Sequence, residues 1–268
     1  MEKAGSDQCS HPRPVVLFAL LCPRSSVLPL SPFPLLVSFV LALAVGGAAA
    51  ADPRTVPHSM DQRVQACTLC HGKEGRATPG GFFPRIAGKP ADYLYHQLLN
   101  FRDGRRNNDG MRYLLDHLSD DYLRLIAQHF ASLDLPYPPP LPPQGSAADL
   151  ARGEALVRRG DPARDLPACT ACHGAAMTGV RPAVPGLLGL PRDYLIGQLG
   201  AWQTGLRKAF APDCMAHVAQ RLSPTDVAAV ASWLAAQPLP ADPHPAAPTT
   251  EPLPLRCGLT PPAPGATK

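Results

Sequence analysis

A five-residue pattern of two cysteines and a histidine occurs twice in this sequence. The first copy reads CTLCH at 67–71 and the second reads CTACH at 169–173. Both have the C-x-x-C-H spacing that attaches a c-type haem covalently. Two cysteines three positions apart on a helical turn face the same side, so both thiols can add to the vinyl groups of one porphyrin. The sequence therefore predicts two covalently bound haem c groups, attached through Cys67, Cys70, Cys169 and Cys172.

The histidine that ends each motif is the predicted axial ligand on one side of each haem iron. These ligands are His71 and His173. Met111 and Met215 follow them by 40 and 42 residues, at matching places in loops between predicted helices, and are the predicted ligands on the other side. Met/His ligation occurs in cytochromes c and raises the reduction potential of the iron.

Other side chains compete with these two methionines. Met60 precedes its motif, and Met177 is only four residues past His173, so neither reaches the far side of the ring easily. His117 and His217 lie six and two residues past the predicted methionine ligands. A bis-His haem would have a lower potential. A methionine that only fills a gap in the core is the remaining alternative at either position.

Further residues are predicted to surround each haem. The carbonyl groups of Pro84 and Pro185 can accept the N–H of the ligating histidine and fix its orientation, the alternative being a plain turn. Arg106 and Arg207 can pair with haem propionates, because a guanidinium group suits a carboxylate; solvated surface arginines are the alternative. The aromatic side chains predicted to line the haem pockets as core are Tyr93, Tyr194, Phe101 and Trp202.

Both motifs belong to an internal duplication. The segment PRIAGKPADYL at 84–94 matches PGLLGLPRDYL at 185–195. In both copies a Gln-Leu pair, an aromatic residue, Gly-x-Arg, the methionine and Leu-Ser follow. Apolar spacing and capping residues predict an all-α fold without convincing strands. The predicted helices cover 62–70, 92–101 and 119–133 in the first copy, and 150–158, 193–202 and 223–236 in the second.

Proline-rich stretches divide the chain. We predict that each copy is a small domain, in which haem supplies apolar surface that so short a chain lacks. The stiff proline-rich segment between them is a predicted linker, and the proline-rich C-terminal segment is a tail laid over the surface or disordered. The predicted bounds are 52–135 for the first domain, 136–147 for the linker, 148–237 for the second domain and 238–268 for the tail.

The N-terminal segment, 1–51, predicts export to the periplasm. An apolar stretch at 35–45 is followed by small residues, and cleavage is expected after Ala50 or Ala51. A membrane anchor is the alternative, which would need about 20 apolar residues. The stretch before the apolar core is unusually long, so translation is expected to begin later, near Arg24.

Four cysteines lie outside the haem motifs. Cys9 and Cys22 are expected to leave with the signal segment. Cys214 and Cys257 remain in an oxidising compartment, and we hypothesise a disulfide between them. The formal net charge of +4 comes without a run of lysine or arginine, which argues against a nucleic-acid partner.

With these residues placed, the segment 59–237 resembles the cytochrome c4 family of periplasmic dihaem cytochromes c. The resemblance is carried by the duplicated series described above, more than by the haem motifs alone. It implies two tandem cytochrome c class I domains related by pseudo-twofold symmetry, each with one His/Met haem. It also implies electron transfer towards a membrane terminal oxidase. Ala216 follows Met215 where the first copy has the basic Arg112, and the linker and tail are richer in proline than the family leads us to expect.

The predicted function is the transfer of single electrons between redox proteins. The expected donor is a quinol-oxidising complex or a dehydrogenase, the expected acceptor is a terminal oxidase, and a peripheral position at the membrane surface is compatible with both. No residue is singled out for acid–base or nucleophilic work, so an enzyme is not expected. The alternatives are a dihaem subunit of a flavocytochrome-type dehydrogenase, a dihaem peroxidase with one open iron site, and zinc or disulfide sites at the C-x-x-C pairs.

Overall fold

The computed structural model of the chain describes residues 59–78, 80–250 and 252–258. The predicted signal segment with its cleavage site, Cys9, Cys22 and the end of the predicted tail therefore lie outside the described residues. Within the described ranges, no helix combines the length and the apolar character that crossing a membrane requires.

Helices make up the first copy of the duplication. Ser119 precedes the last of them and caps it by accepting a hydrogen bond from the backbone N–H of Tyr122 (3.3 Å). The third and fifth helices pack against each other. The elements are α1 (Met60–Arg63), α2 (Gln65–His71), a 3₁₀ turn (Lys73–Gly75), α3 (Ala91–Arg102), α4 (Asp109–Leu115) and α5 (Asp120–Ala131).

The described part of the second copy also has five helices, but its 3₁₀ turn lies between the first two of them, and a pair of two-residue antiparallel strands is added. In that pair Gly179 lies opposite Pro185, and Val180 lies opposite Val184. The last helix of this copy packs on both its first and its third helix. The elements are α6 (Ala147–Arg159), a 3₁₀ turn (Pro162–Arg164), α7 (Thr170–His173), β1 (Gly179–Val180), β2 (Val184–Pro185), α8 (Arg192–Gln203), α9 (Cys214–Gln220) and α10 (Pro224–Ala235).

The predicted helical fold is confirmed, and three local expectations need correction. The predicted helix 62–70 is two short helices, because the backbone leaves helical geometry at Val64 (φ −96°, ψ 9°). A strand pair is present although no strand was predicted; two-residue strands are too short to show an alternating pattern. Met111 and Met215 lie in short helices, not in loops, because Asn108 and Asp213 cap α4 and α9.

Two separate hydrophobic clusters form the core. The first includes Leu99, Leu123 and Phe130, and the second includes Leu156 and Trp233. Each cluster lies within one copy of the duplication, which accords with two tandem domains. The exact bounds of those domains stay predictions.

The two copies meet along a short backbone pairing. Arg106 and Arg207 lie opposite each other in an antiparallel bridge. Next to it, the N–H of Asn107 donates to the carbonyl of Leu206 (2.8 Å). Phe210 of the second copy packs against the core of the first. The bridging residues are equivalent in the two copies, so the contact follows the symmetry of the duplication.

The predicted linker is held against the first copy. The guanidinium of Arg85 donates to the carbonyl of Pro136 (3.0 Å) and lies 3.9 Å from the centre of the Tyr137 ring. Arg85 itself is buried. These contacts hold the start of the predicted spacer in place without helix or strand.

The crossing of α6 and α10 depends on Gly153. A Cβ atom at this position would lie 2.3 Å from the carbonyl oxygen of Ala229 and 2.9 Å from the Cβ of Trp233. We expect Gly153→Ala to lower the free energy of unfolding by at least about 2 kcal/mol, because overpacking a helix contact forces the backbone apart. Urea unfolding of the holoprotein measures this change.

A matched control for that variant is Gly197→Ala in α8, where a Cβ atom would meet nothing within 4 Å. Alanine there is expected to be neutral or to stabilise the helix by up to about 1 kcal/mol. Equal effects of the two substitutions would contradict the role assigned to Gly153.

Candidate haem-binding sites

Each C-x-x-C-H motif ends a short helix, α2 or α7, and a glycine follows it. Gly72 has a φ of 75°, and a Cβ atom there would lie 2.2 Å from the carbonyl oxygen of Ala77. Gly174 has a φ of 85°. A side chain at either position would strain the backbone. Each glycine therefore lets the chain turn sharply away behind the histidine.

The thiols of both motifs are free and half-buried. Burial raises the pKa of Cys67, and it raises the pKa of Cys169 to about 11. These thiols are therefore protonated at neutral pH, in the form that adds across a vinyl group. No set of three or more His, Cys, Asp or Glu side chains within the described ranges is placed to hold a metal ion.

The two motif histidines have the same buried geometry. His71 is 8% exposed and His173 is 7% exposed. The Nδ1 atom of His71 lies 2.8 Å from the carbonyl oxygen of Pro84, and that of His173 lies 2.7 Å from the carbonyl oxygen of Pro185. A carbonyl oxygen only accepts, so Nδ1 carries the proton and Nε2 keeps a lone pair for a metal. The predicted hydrogen bonds from both histidines to proline carbonyls are confirmed.

Burial also favours the neutral form of these histidines. It lowers the pKa of His71 and of His173, and in each case the hydrogen bond to the proline carbonyl opposes that effect. A neutral imidazole with a fixed Nδ1–H is the form that ligates iron.

Backbone hydrogen bonds hold the segments that follow Pro84 and Pro185 at equivalent places in the two copies. The N–H of Ile86 donates to the carbonyl of Gly75 (2.9 Å), and the N–H of Leu187 donates to the carbonyl of Met177 (2.8 Å). Gly75 and Met177 are equivalent, and both have a positive φ. Met177 is 5% exposed within the core of the second copy. Its side chain therefore has a packing role.

The predicted methionine ligands lie on α4 and α9. Met111 is half-buried and packs against the core cluster of the first copy, and Met215 is half-buried. The competing His117 is exposed. The other competitor, His217, places its Nε2 3.1 Å from a carboxylate oxygen of Asp165. Ligation by the two methionines stays a prediction.

A buried group of donors lies where the two copies meet. Arg207 is 6% exposed, and its guanidinium donates to Gln198 (2.8 Å) and Gln97 (3.0 Å). Arg106 donates to the same two glutamines and to the hydroxyl of Tyr194 (3.1 Å). Among the described residues, neither arginine forms an ion pair with a carboxylate. Two guanidinium groups are thus close together without a counter-charge.

The indole of Trp202 adds an unsatisfied donor to this group. Its Nε1 is buried and has no hydrogen-bond partner in the described part of the chain. The guanidinium of Arg207 lies 3.8 Å from the centre of the same ring. Burial, and then the positive charge of Arg106, lower the pKa of Arg207. Buried cations and N–H groups without partners are costly. Carboxylates such as haem propionates would satisfy them, so these residues fit haem.

The sequence predicts only part of this group. It indicates Arg106 and Arg207 as propionate partners and places Tyr194 and Trp202 in the core, and it shows Gln97 and Gln198 as a repeated pair without a role. The signal for the whole group is that these polar residues recur at equivalent positions in both copies, beside the predicted haem pockets.

No family model matches the chain. A thiosulfate dehydrogenase electron acceptor of Thiomonas intermedia is 40% identical over 174 residues, covering 65% of this chain and 79% of that protein. Cytochrome c4 of Pseudomonas aeruginosa is 35% identical over 205 residues, covering 75% of this chain and 96% of that protein.

Solved structures agree with these relatives. Reduced recombinant cytochrome c4 from Pseudomonas stutzeri superposes with a TM-score of 0.57 at 31% identity, covering 66% of this chain and 95% of that one. Thiosulfate dehydrogenase (TsdBA) from Marichromatium purpuratum gives a TM-score of 0.59 at 32% identity. That match covers 67% of this chain but only 40% of the Marichromatium chain.

Proposed function

The chain belongs to the cytochrome c4 family, and from this premise we propose that it carries single electrons in the periplasm through two covalently bound haem c groups. The observation that carries the proposal is the duplicated site, in which each C-x-x-C-H motif ends in a buried histidine bonded through Nδ1 to a proline carbonyl. When bound, haem supplies an iron that gains and loses one electron. The family relationship supports a dihaem electron-transfer protein.

The chain's own residues would hold each haem at four points. Cys67 and Cys70 would attach the first haem and Cys169 and Cys172 the second, through thioether bonds. His71 and His173 would each supply a nitrogen ligand to one iron, and Met111 and Met215 would each supply a thioether ligand.

The buried donor group is assigned to the propionates. Arg106 and Arg207, with the indole N–H of Trp202, would neutralise and bind carboxylates at the contact between the two copies. Gln97 and Gln198 each accept from both arginines, which keeps the two guanidinium groups side by side. One group of residues would therefore orient both haems towards the same interface.

Loss of one of these cations should be visible in the potentials. We expect Arg207→Gln to lower the reduction potential of the second haem by on the order of 50 mV, because an uncompensated propionate favours the ferric iron. Two unit charges about 10 Å apart interact by roughly 1–2 kcal/mol at an effective dielectric constant of about 20. A spectroscopic redox titration measures the shift.

The control for this variant is Arg158→Gln on α6. Arg158 is an exposed arginine paired with Glu154 (3.0 Å). Its replacement should leave both potentials within a few millivolts, since exposed ion pairs contribute little. Equal shifts in the two variants would mean that Arg207 acts only through net charge.

We further propose a thiosulfate dehydrogenase as the electron donor and a terminal oxidase as the acceptor. Support for the donor comes from relatives in Thiomonas intermedia and Stutzerimonas stutzeri, which are named thiosulfate dehydrogenase electron acceptors and are 40% and 39% identical to this chain. A quinol-oxidising complex, which the sequence analysis also allows, is the alternative electron donor. The direction towards an oxidase follows from the family resemblance.

Reduction assays with purified partners test this proposal. Oxidised holoprotein is mixed with a thiosulfate dehydrogenase and thiosulfate, and haem reduction is followed in the visible spectrum. Both haems should become reduced, and an added terminal oxidase should reoxidise them. If the haems are reduced by a quinol-oxidising complex but not by the thiosulfate dehydrogenase, the quinol-oxidising complex is the electron donor instead. A high-spin haem with peroxide turnover would contradict the carrier function.

A stable dehydrogenase complex is the second candidate function. It is favoured by the Marichromatium TsdBA match, in which a longer chain contains the similar part. Size-exclusion chromatography of the mixed proteins distinguishes the two. A carrier elutes apart from the dehydrogenase, whereas a subunit elutes with it.

A further inference from the structure

The C-terminal segment is fastened to the second copy at several points. Ala246 donates its N–H to the carbonyl of Gly179 (2.9 Å) and accepts from the N–H of Arg181 (2.9 Å). Cys257 forms a disulfide with Cys214, with 5.3 Å between their Cα atoms. The hypothesised disulfide is therefore confirmed, and the predicted tail contacts the second copy at Ala246 and at Cys257.

The disulfide lies directly beside the predicted methionine ligand. Cys214 is the first residue of α9, and Met215 is the next. A second contact reinforces it: the N–H of Gly258 donates to the carbonyl of Pro212 (2.9 Å). The first turn of α9 is thus bonded to the C-terminal segment on both sides of its cap, Asp213.

The rest of α9 is held independently of the C-terminal segment. The carboxylate of Asp165 lies 3.1 Å from His217 and 3.2 Å from Arg221. The side-chain amide of Gln203 donates to the carbonyl of Ala219 (2.9 Å). The disulfide therefore controls the N-terminal turn, where Met215 lies, more than it controls the position of the whole helix.

The equivalent helix in the first copy, α4, has no disulfide at its first turn in the described part of the chain. Gly110 stands where the second copy has Cys214, and it is exposed. The side chain of Asn108 caps α4 by accepting from the N–H of Met111 (2.9 Å). Tyr113, two residues past the methionine, is 85% exposed. The two methionine helices are thus equivalent in position but differ in how their first turn is held.

We propose that the Cys214–Cys257 disulfide is a positioning element that keeps Met215 on the iron of the second haem. This inference rests on the proposed haem ligation. Displacement of the first turn of α9 would carry the methionine sulfur away from the iron. A covalent link to the C-terminal segment restricts the conformations in which that turn is displaced. The second haem therefore exchanges its methionine ligand more slowly than it would without the disulfide, and the first haem is unaffected.

Binding of imidazole to the oxidised holoprotein tests this proposal. Imidazole replaces a methionine ligand only after the sulfur has left the iron. The rate of imidazole binding therefore measures how often the sulfur leaves. In Cys214→Ser/Cys257→Ser, we expect the rate of imidazole binding at the second haem to rise roughly 10- to 100-fold. The reason is that removing the disulfide opens a long covalent loop and frees conformations that it excludes. The rate at the first haem, an internal control, should not change. Both cysteines are replaced because a lone Cys214 thiol could itself ligate the iron.

The two haems are distinguished with Met215→Ala, in which the second haem binds imidazole without a displacement step. A matched control is Ala246→Pro, which removes the N–H bond to Gly179 and leaves the disulfide intact. It should leave both rates unchanged. If Ala246→Pro accelerates imidazole binding as much as the double variant does, then general loosening of the C-terminal segment is responsible. That result would overturn the proposal.

If the double variant fails to fold, reduction of the disulfide in the native holoprotein tests the same proposal. A phosphine gives two electrons to the disulfide and becomes its oxide with oxygen from water, leaving two thiols that are then alkylated. Ferricyanide returns the irons to the ferric state before imidazole is added. An unchanged rate at the second haem after this treatment overturns the proposal. Absence of an Fe–S(Met) charge-transfer band in the untreated protein would instead contradict the proposed ligation itself.

Discussion

Met215→Ala is expected to lower the reduction potential of the second haem by on the order of 0.1–0.3 V, within the roughly 0.8 V range that axial ligands span. Met111→Ala should do the same to the first haem. A thioether ligand stabilises ferrous iron, and its loss leaves a site for water, which favours the ferric form. Each variant should also lose about half of the Fe–S(Met) charge-transfer absorbance. A redox titration followed by visible and near-infrared spectroscopy records both effects.

Two kinds of variant control this prediction. Met177→Leu replaces a methionine that is 5% exposed in the core of the second copy, and it should keep both potentials and the full band. His217→Gln tests the competing ligand. If that variant shifts the potential of the second haem and Met215→Ala does not, the methionine assignment is wrong and a bis-His haem takes its place.

Cys67→Ser/Cys70→Ser is expected to have the second large effect, which is the loss of one haem and of the fold of the first copy. The core of that copy is formed by a few short helices around residues such as Leu99 and Phe130. So small a unit buries too little apolar surface to be stable alone. Haem content should fall from two to one per chain, with a loss of helical circular dichroism.

The control for that loss is Leu69→Ala in the same motif. Leu69 lies between the two cysteines and is 84% exposed, so its replacement should preserve both haems and the helical signal. Two covalent haems in the double serine variant would contradict the attachment assigned to these cysteines. One haem with an unchanged helical signal would show that the first copy folds without its cofactor.

Much of the fold could be predicted because local signals agree with the packing. The apolar stripe of α3 and the serine caps of α5 and α10 predicted those helices to within a few residues. The hydrogen bonds of His71 and His173 to Pro84 and Pro185 were predicted from repetition, since both copies place a proline soon after the motif.

The remaining features depend on contacts that sequence periodicity does not report. The helix that contains Met111 is seven residues long and is set by its cap, Asn108, so no apolar stripe reveals it. The pairing of Arg207 with Gln97 joins residues 110 positions apart in the chain. The role of this pair becomes clear only when the two copies meet, which buries Arg207 and half-buries Arg106 without a carboxylate partner among the described residues.

The mass of the exported protein under denaturing conditions tests the central claim most directly. Thioether bonds survive denaturation, so each mature chain should weigh more than its amino acids by two haem groups, with both attached to fragments that contain CTLCH or CTACH. A mature chain whose mass equals that of its amino acids alone would contradict the entire account.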